Sequence, residues 1–291
     1  MNPTAAALER PIVHRTKGKN VGSLVRLISP GELGEVLKPF VFLAIFSLGT
    51  DREKAESGMH PHSGITTVTF MIDGDIAYED TTGAAGVLPA GGLELMYAGN
   101  GVWHDAVPTS SDSILGFQLW VALPASEENG PAKSVYLAPF QIPQVGPVRV
   151  LLGQYNNAHS IAEAPSGVNY LAVRLKDGES WRYTPPAGHT VAWLAVESGC
   201  ISAGSLVTKG ELAVFEESEQ PIEIVAQGET AFVLGSAAKH PHDLVTGYYS
   251  VHTSKEAMAK SKTEIHRIAA RLRQEGRLNQ VVASPSPQRS D

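Results

Sequence analysis

Residues 58–108 read GMHPHSGITTVTFMIDGDIAYEDTTGAAGVLPAGGLELMYAGNGVWHDAVP, and this stretch carries both the fold signal and the candidate chemistry. Val68, Phe70 and Ile72 alternate with Thr67, Thr69 and Met71, the period of a half-buried strand. Asp73-Gly74 offers a tight hairpin turn, Ile76 and Tyr78 resume the alternation, and Thr82-Gly83, Pro89 and Gly91-Gly92 punctuate the next strands. Short strands at this spacing, with no helical period among them, predict a barrel or sandwich. The stretch also holds His60-Pro61-His62. Alternate residues of an extended chain share a face, so both imidazoles converge, and His104 comes after several strands. Three neutral imidazoles gathered in a β-barrel suit a divalent first-row metal such as iron, zinc, copper or nickel.

Outside this stretch the chain is an ordinary globular sequence. Its 291 residues are enough for two domains with substantial cores. The net charge of -7 offers no basic surface for phosphates, which argues against direct nucleic-acid binding and leaves protein partners open. The single cysteine, Cys200, excludes an intramolecular disulfide and fits a reducing compartment. No signal core opens the chain, and the longest apolar run, 40–46, is too short to span a bilayer, so a cytoplasmic location with no membrane association is expected. No nucleophile elbow, hydrolytic triad or phosphate-binding glycine loop is legible.

Residues 1–10 read as a loose terminus, 21–28 and 39–48 as strands, and 51–57 as a charged loop. Ser126 to Lys133 is polar and contains Gly130-Pro131, and Pro139, Pro143 and Pro147 break the next segment, so the boundary falls between 138 and 148. Strands restart at Val148, and TVAWLAVESGCI in the second half echoes TVTFMIDGDI in the first, a weak duplication in which Asp177-Gly178 and Ser198-Gly199 are expected turns. The echo has no H-x-H before its first strand. His240-Pro241-His242, with Asp243 beside it, is read as an exposed loop and not as a second metal site, since no third histidine stands at a barrel-like separation. His159 and His189 are expected to be surface or hydrogen-bonded residues and His252 to lie near a strand end. A helix closes the fold: Thr253 and Glu256 suit a capping box, Ile265, Ile268, Ala269 and Leu272 make an apolar stripe, and Gly276 ends it.

The order HPHSGITTVTF, LPAGGLELMYAGNGVWHDAVP, then Gly116-Phe117-Gln118-Leu119-Trp120-Val121 and Leu123-Pro124 resembles the pirin family of the cupin superfamily over nearly the whole chain. The resemblance implies an all-β bicupin: two consecutive cupin-type β-barrels and a C-terminal helix. The expected division is 11–137 for a first barrel with the metal pocket, 148–276 for a second barrel with the helix, and 277–291 for a disordered tail. It implies a mononuclear metal, most often Fe2+ with Ni, Cu, Mn or Zn as alternatives, held by His60, His62, His104 and a fourth ligand at position 106. Here Ala106 stands where the family has glutamate, and Asp105 next door points to the other face. Ser63, Thr66, Glu94 and Leu95 likewise replace the family's arginine, glutamate, glutamine and tryptophan, and Lys38 and Ala44 replace two aspartates.

Three histidines without a carboxylate leave a divalent ion its full charge and several open positions, so metal binds more weakly and anionic ligands are favoured. Glu94 is the one acidic residue that a local shift could bring to a catalytic role. The resemblance implies, in some members, oxygenation of flavonols such as quercetin, and in others regulation through protein partners. Three readings are open: a metal-dependent dioxygenase of the quercetin 2,3-dioxygenase type acting on a flavonol or catechol-like substrate, a non-catalytic regulatory or protein-binding module, and a cupin enzyme of another small-molecule chemistry.

Overall fold

The computed structural model describes residues 10–48, 58–109, 113–163, 165 and 167–278, so the expectations placed on 1–9, on the loop 51–57 and on the tail beyond 278 lie outside it. The first half builds two antiparallel sheets. One has the order Lys133–Leu137, Leu93–Tyr97, Ile65–Asp73, Ile114–Ala122, Phe40–Leu48, Leu24–Ile28 and Lys19–Val21. The other, four-stranded, has the order His60–His62, Val102–Pro108, Ile76–Asp80 and Ala85–Leu88. Met71 and Ile114 of the larger sheet bury against Ile76 and Leu88 of the smaller, closing a barrel.

The second half repeats the pairing order. Leu212–Phe215, Val191–Ser202, Ile222–Ala237, Val168–Leu175 and Val148–Leu152 succeed one another as Leu93–Tyr97, Ile65–Asp73, Ile114–Ala122, Phe40–Leu48 and Leu24–Ile28 do in the first. The weak sequence echo is thus a structural duplication.

Two turn expectations are corrected. Ile65–Asp73 pairs with Leu93–Tyr97 and Ile114–Ala122, while Ile76–Asp80 pairs with Val102–Pro108 and Ala85–Leu88. Asp73-Gly74 therefore carries the chain from one sheet to the other and closes no hairpin. Ser198-Gly199 lies inside one continuous strand, Val191–Ser202, where the register with Ile222–Ala237 shifts on both sides of Ser198. Gly199 takes the left-handed φ of +71° that such a bulge uses, and the bend lets one strand serve both walls of the barrel.

The two large sheets pack back to back. Phe40, Leu43, Val68 and Phe117 from the first share one apolar cluster with Leu151, Tyr170, Trp193 and Val233 from the second, and the Phe40 ring meets Trp193 edge-on at 5.4 Å. Each such side chain, fully buried, contributes about 1.5–3 kcal/mol. The ends of the described chain cross the expected division. Ile12–Thr16 pairs with Leu212–Phe215 in the second barrel, taking the edge that Lys133–Leu137 takes in the first. Arg10, 3% exposed, fixes it there by donating to the backbone oxygens of Glu216 (2.7 Å) and Thr190 (2.5 Å).

The helix Lys255–Gln274 returns to the first barrel. Its Ile268, Ala269 and Leu272 bury against Trp103, whose indole N–H donates to the Ile265 oxygen at 3.1 Å. The expected cap is displaced by one residue: Ser254 Oγ accepts from the Ala257 amide, and Thr253 is held instead by Glu128. Arg277 and Leu278, expected to open a tail, are seated: Arg277 N–H donates to the Leu272 oxygen at 2.9 Å and Leu278 buries beside Trp103. Among the described residues no helix is long and apolar enough to cross a membrane.

Leu272 has no exposed surface, so Leu272→Ala is expected to cost about 2–5 kcal/mol, read as a lowered urea midpoint with an unchanged slope.

Candidate metal centre

Strand pairing creates the site. Val102–His104 runs antiparallel to His60–His62, with Val102 opposite His62 and His104 opposite His60. His60 and His62 already share a face, and the register sets His104 directly across from the first of them. One ring nitrogen from each lies within 4.8 Å of the others, and the ring centroids are 4.4 to 5.1 Å apart. His62 and His104 are 1% and 3% exposed. The structure thus brings together all three histidines singled out in the sequence.

Each Nδ1 faces an acceptor. His60 Nδ1–H donates to the Gly58 oxygen at 2.8 Å and His62 Nδ1–H to the Tyr249 oxygen at 3.1 Å, while His104 Nδ1 lies 3.6 Å from Glu94 Oε1. A neutral imidazole with its proton on Nδ1 carries a lone pair on Nε2. The His60 and His104 Nε2 atoms are only 3.0 Å apart, and His62 Nε2 is buried without a partner among the described residues. With all protons on Nδ1 these lone pairs repel, and a cation among them, or a proton shared between the His60 and His104 Nε2 atoms, relieves the repulsion. Burial, reinforced by the neighbouring imidazoles, pulls the His60 pKa down to about 4 and holds His62 well below its ordinary value, so neither of these two rings is charged at neutral pH. The donor set fits a divalent transition ion: three imidazoles, each oriented from behind.

Glu94 is one of those orienting groups. Its strand, Leu93–Tyr97, sets it opposite Thr69 on one side and Tyr136 on the other. Thr69 Oγ1 donates to Glu94 Oε2 at 2.5 Å, and the Tyr136 hydroxyl lies 3.3 Å from Oε1 and 3.1 Å from Asp80 Oδ2. Burial pushes the Glu94 carboxyl up, but hydrogen bonding from His104, Thr69 and Tyr136 outweighs it and the net shift is downward. Glu94 is therefore an anion on the Nδ1 side of His104, behind the ligand and away from the open side where the Nε2 atoms meet. Ala106 stands opposite Tyr78 and packs in the apolar cluster with Tyr78 and Tyr136, whose rings stack at 3.5 Å. Among the described residues no carboxylate joins the three ring nitrogens.

The hairpin made by Val245–Gly247 and Ser250–His252 roofs the site, which no sequence signal announced. Tyr249, at the left-handed φ of +49°, gives its carbonyl to His62 and sets its ring 5.3 Å from His60 and 5.6 Å from His62. Gly64 admits the hairpin: with φ +71°, a Cβ there would stand 2.0 Å from the Val251 oxygen. His252, 1% exposed, anchors it from below. Its Nε2 is 3.0 Å from Ser63 Oγ and its Nδ1 3.0 Å from Glu128 Oε2, and Glu128 also accepts from the Thr253 amide at 2.7 Å. Ser63, His252 and Glu128 have the connectivity of a hydrolytic triad that was not legible in the sequence. Ser63 is only 1% exposed, so no carbonyl reaches it and the relay is a brace.

The other histidines divide. His242 and His159 are exposed, as expected for surface imidazoles. His240 corrects the exposed-loop reading: it is 7% exposed, its Nε2 3.2 Å from the Leu123 oxygen, because this loop seats on the first barrel. His189 is buried and bonded to Ser236.

Glu94→Gln keeps the shape and removes the charge behind His104. Divalent-metal affinity is expected to fall about 10- to 100-fold, measured by competition with a chelator of known affinity.

A family model described as Pirin matches residues 23–121. A Pseudomonas aeruginosa protein that carries the provisional name quercetin 2,3-dioxygenase is 30% identical over 244 residues, covering 77% of this chain and 83% of that protein. Pirin of Rattus norvegicus is 27% identical over 241 residues, covering 79% and 78%. The crystal structure of a quercetin 2,3-dioxygenase from Acinetobacter baumannii shares the fold with a TM-score of 0.80 at 22% identity, covering 89% of this chain and 97% of that one. A bacterial pirin from Escherichia coli, solved in complex with nickel(II), shares it with a TM-score of 0.63 at 17% identity, covering 80% and 97%. An identity of 30% that spans more than two thirds of both proteins places this chain in the pirin family of the cupin superfamily.

Proposed function

We propose that the first barrel is a metal-dependent dioxygenase site for a flavonol or catechol-like substrate, with iron as its resident metal and nickel as the alternative. The observation that supports it is the inward convergence of three imidazole nitrogens, each Nδ1 held by an acceptor, with no fourth protein ligand among the described residues. When bound, the ion would supply Lewis acidity and open positions for the vicinal oxygens of the substrate and for its reaction with dioxygen. His60, His62 and His104 would hold that ion. Glu94 would keep the His104 ring oriented and electron-rich. Tyr249, 38% exposed, would offer its ring to the substrate rings, with the Tyr248 ring, 54% exposed, set edge-on to it at 4.5 Å.

Ala106 sets the protonation requirement. Among the described residues no carboxylate joins the three ring nitrogens to take the proton of a flavonol hydroxyl, so the substrate would bind as its own anion. The alternative reading, a regulatory or protein-binding module, draws on the same loss, since such a role needs no base. A cytoplasmic location suits either reading, given the single cysteine.

Protein purified without added metal should contain near-stoichiometric iron or nickel by elemental analysis, and should consume dioxygen with quercetin or a catechol. Chelation and His62→Ala should abolish both properties. Metal-free wild-type protein that cannot be reconstituted would overturn the proposal, and partner binding that survives chelation would favour the regulatory reading.

The rate should rise with pH through the ionisation of the substrate hydroxyl, because the anion is the binding form. Tyr249→Ala should raise KM more than it lowers kcat, since the residue at this position keeps the backbone carbonyl on His62 and loses only the ring.

A further inference from the structure

The second barrel holds a cavity of about 370 Å³ at its mouth, lined by Gln154, Ser160, Asn169, Pro186 and His189 among others. All its lining residues belong to the second half, so it is separate from the three histidines. A smaller hollow of about 230 Å³ adjoins it through Gln154, Asn169 and Pro186 and includes Tyr183. Tyr183 ends the strand Ser180–Tyr183, which precedes the central strand Val191–Ser202 as His60–His62 precedes Ile65–Asp73. The second barrel has thus put other polar groups where the first has imidazoles.

Those groups form one directed chain. The Gln154 amide must donate, so Asn169 Oδ1 accepts from it at 3.0 Å and the orientation of the Asn169 side chain is fixed. Asn169 Nδ2 then donates to the Gln154 oxygen at 2.8 Å and to the Tyr183 hydroxyl at 3.2 Å. Ser236 Oγ is the one acceptor in reach of the Tyr183 hydroxyl among the described residues, so Tyr183 donates its proton to Ser236 Oγ at 2.6 Å, and Ser236 donates its own to His189 Nδ1 at 2.9 Å. Each hydroxyl has one proton, so the direction propagates to the end. His189 is left as the tautomer with its proton on Nε2.

That Nε2–H has no hydrogen-bond partner among the described residues, and His189 is one of the residues that line the cavity. Burial pulls the His189 pKa below its ordinary value against the opposing pull of Glu219, which keeps the ring neutral. Asn169 is 2% exposed, Ser236 0% and His189 6%, so four side chains including Tyr183 are desolvated to aim one donor.

We propose that the second barrel is a binding site for a small molecule bearing a carbonyl or carboxylate oxygen, which accepts a hydrogen bond from His189 Nε2–H. The volume suits a ligand of about one ring.

The test is nuclear magnetic resonance of full-length protein with isotope-labelled histidine, titrated with benzamide and, separately, benzoate. The expected result is an unprotonated Nδ1 on His189 before titration and a saturable shift of its ring signals with one or both probes. Benzamide alone would assign a neutral carbonyl, and benzoate alone a carboxylate. Ser236→Ala should weaken that binding roughly fivefold by freeing the tautomer. Should Ser236→Ala fail to fold, Tyr183→Phe interrupts the same chain with the ring retained. A proton found on Nδ1, no saturable shift with either probe, or an unchanged dissociation constant in the folded variant would each overturn the proposal.

Discussion

The seam between the two large sheets is the contact on which the rest depends. Each barrel uses one wall of that seam as its own, so the strands that carry Trp193, Phe40 and Phe117 cannot move without both barrels moving. The termini reinforce it in opposite directions. The strand Ile12–Thr16 closes an edge of the second barrel and the helix Lys255–Gln274 covers the first, so the chain is stitched across its own midpoint. Burial of apolar surface supplies the energy, and the crossed ends make the two halves a cooperative unit.

Within that frame the histidine site is a place where folding has assembled an electrostatic conflict. Three imidazoles are desolvated, turned by acceptors behind them, and pressed together on their lone-pair side. The packing that orients them comes from far apart in the chain: the carbonyl behind His62 lies 187 residues away. The brace through Ser63, His252 and Glu128 holds that hairpin, and the left-handed Tyr249 is tolerated because its surroundings over-determine it. Negative charge is present behind His104 as Glu94, while Ala106, two residues beyond His104, packs against Tyr78 and Tyr136.

The second barrel shows the same architecture put to another use. Where the first barrel gathers imidazoles, the second threads a hydrogen-bond chain from a backbone amide to His189. Both solutions rest on one property of a cupin barrel: its strands deliver alternate side chains into a shielded mouth at a spacing that the register fixes.

The sequence by itself determined the β class, the duplication, the closing helix and the three histidines, because those signals are local: alternation, turn residues, and an H-x-H whose two rings must share a face. Only the tertiary structure decided what each signal connects. Asp73-Gly74 reads as a hairpin turn but bridges two sheets, and Ser198-Gly199 reads as a turn but bends one strand, since pairing partners are chosen by the barrel and not by the turn. Glu94 is visible as the nearby acid, yet its place behind His104 comes from its register against Thr69 and Tyr136. Glu128, Ser63 and His252 carry no local pattern at all and meet across 124 and 189 residues. Periodicity reports which face a side chain takes on its own strand, and it holds no information about which distant strand that face will meet.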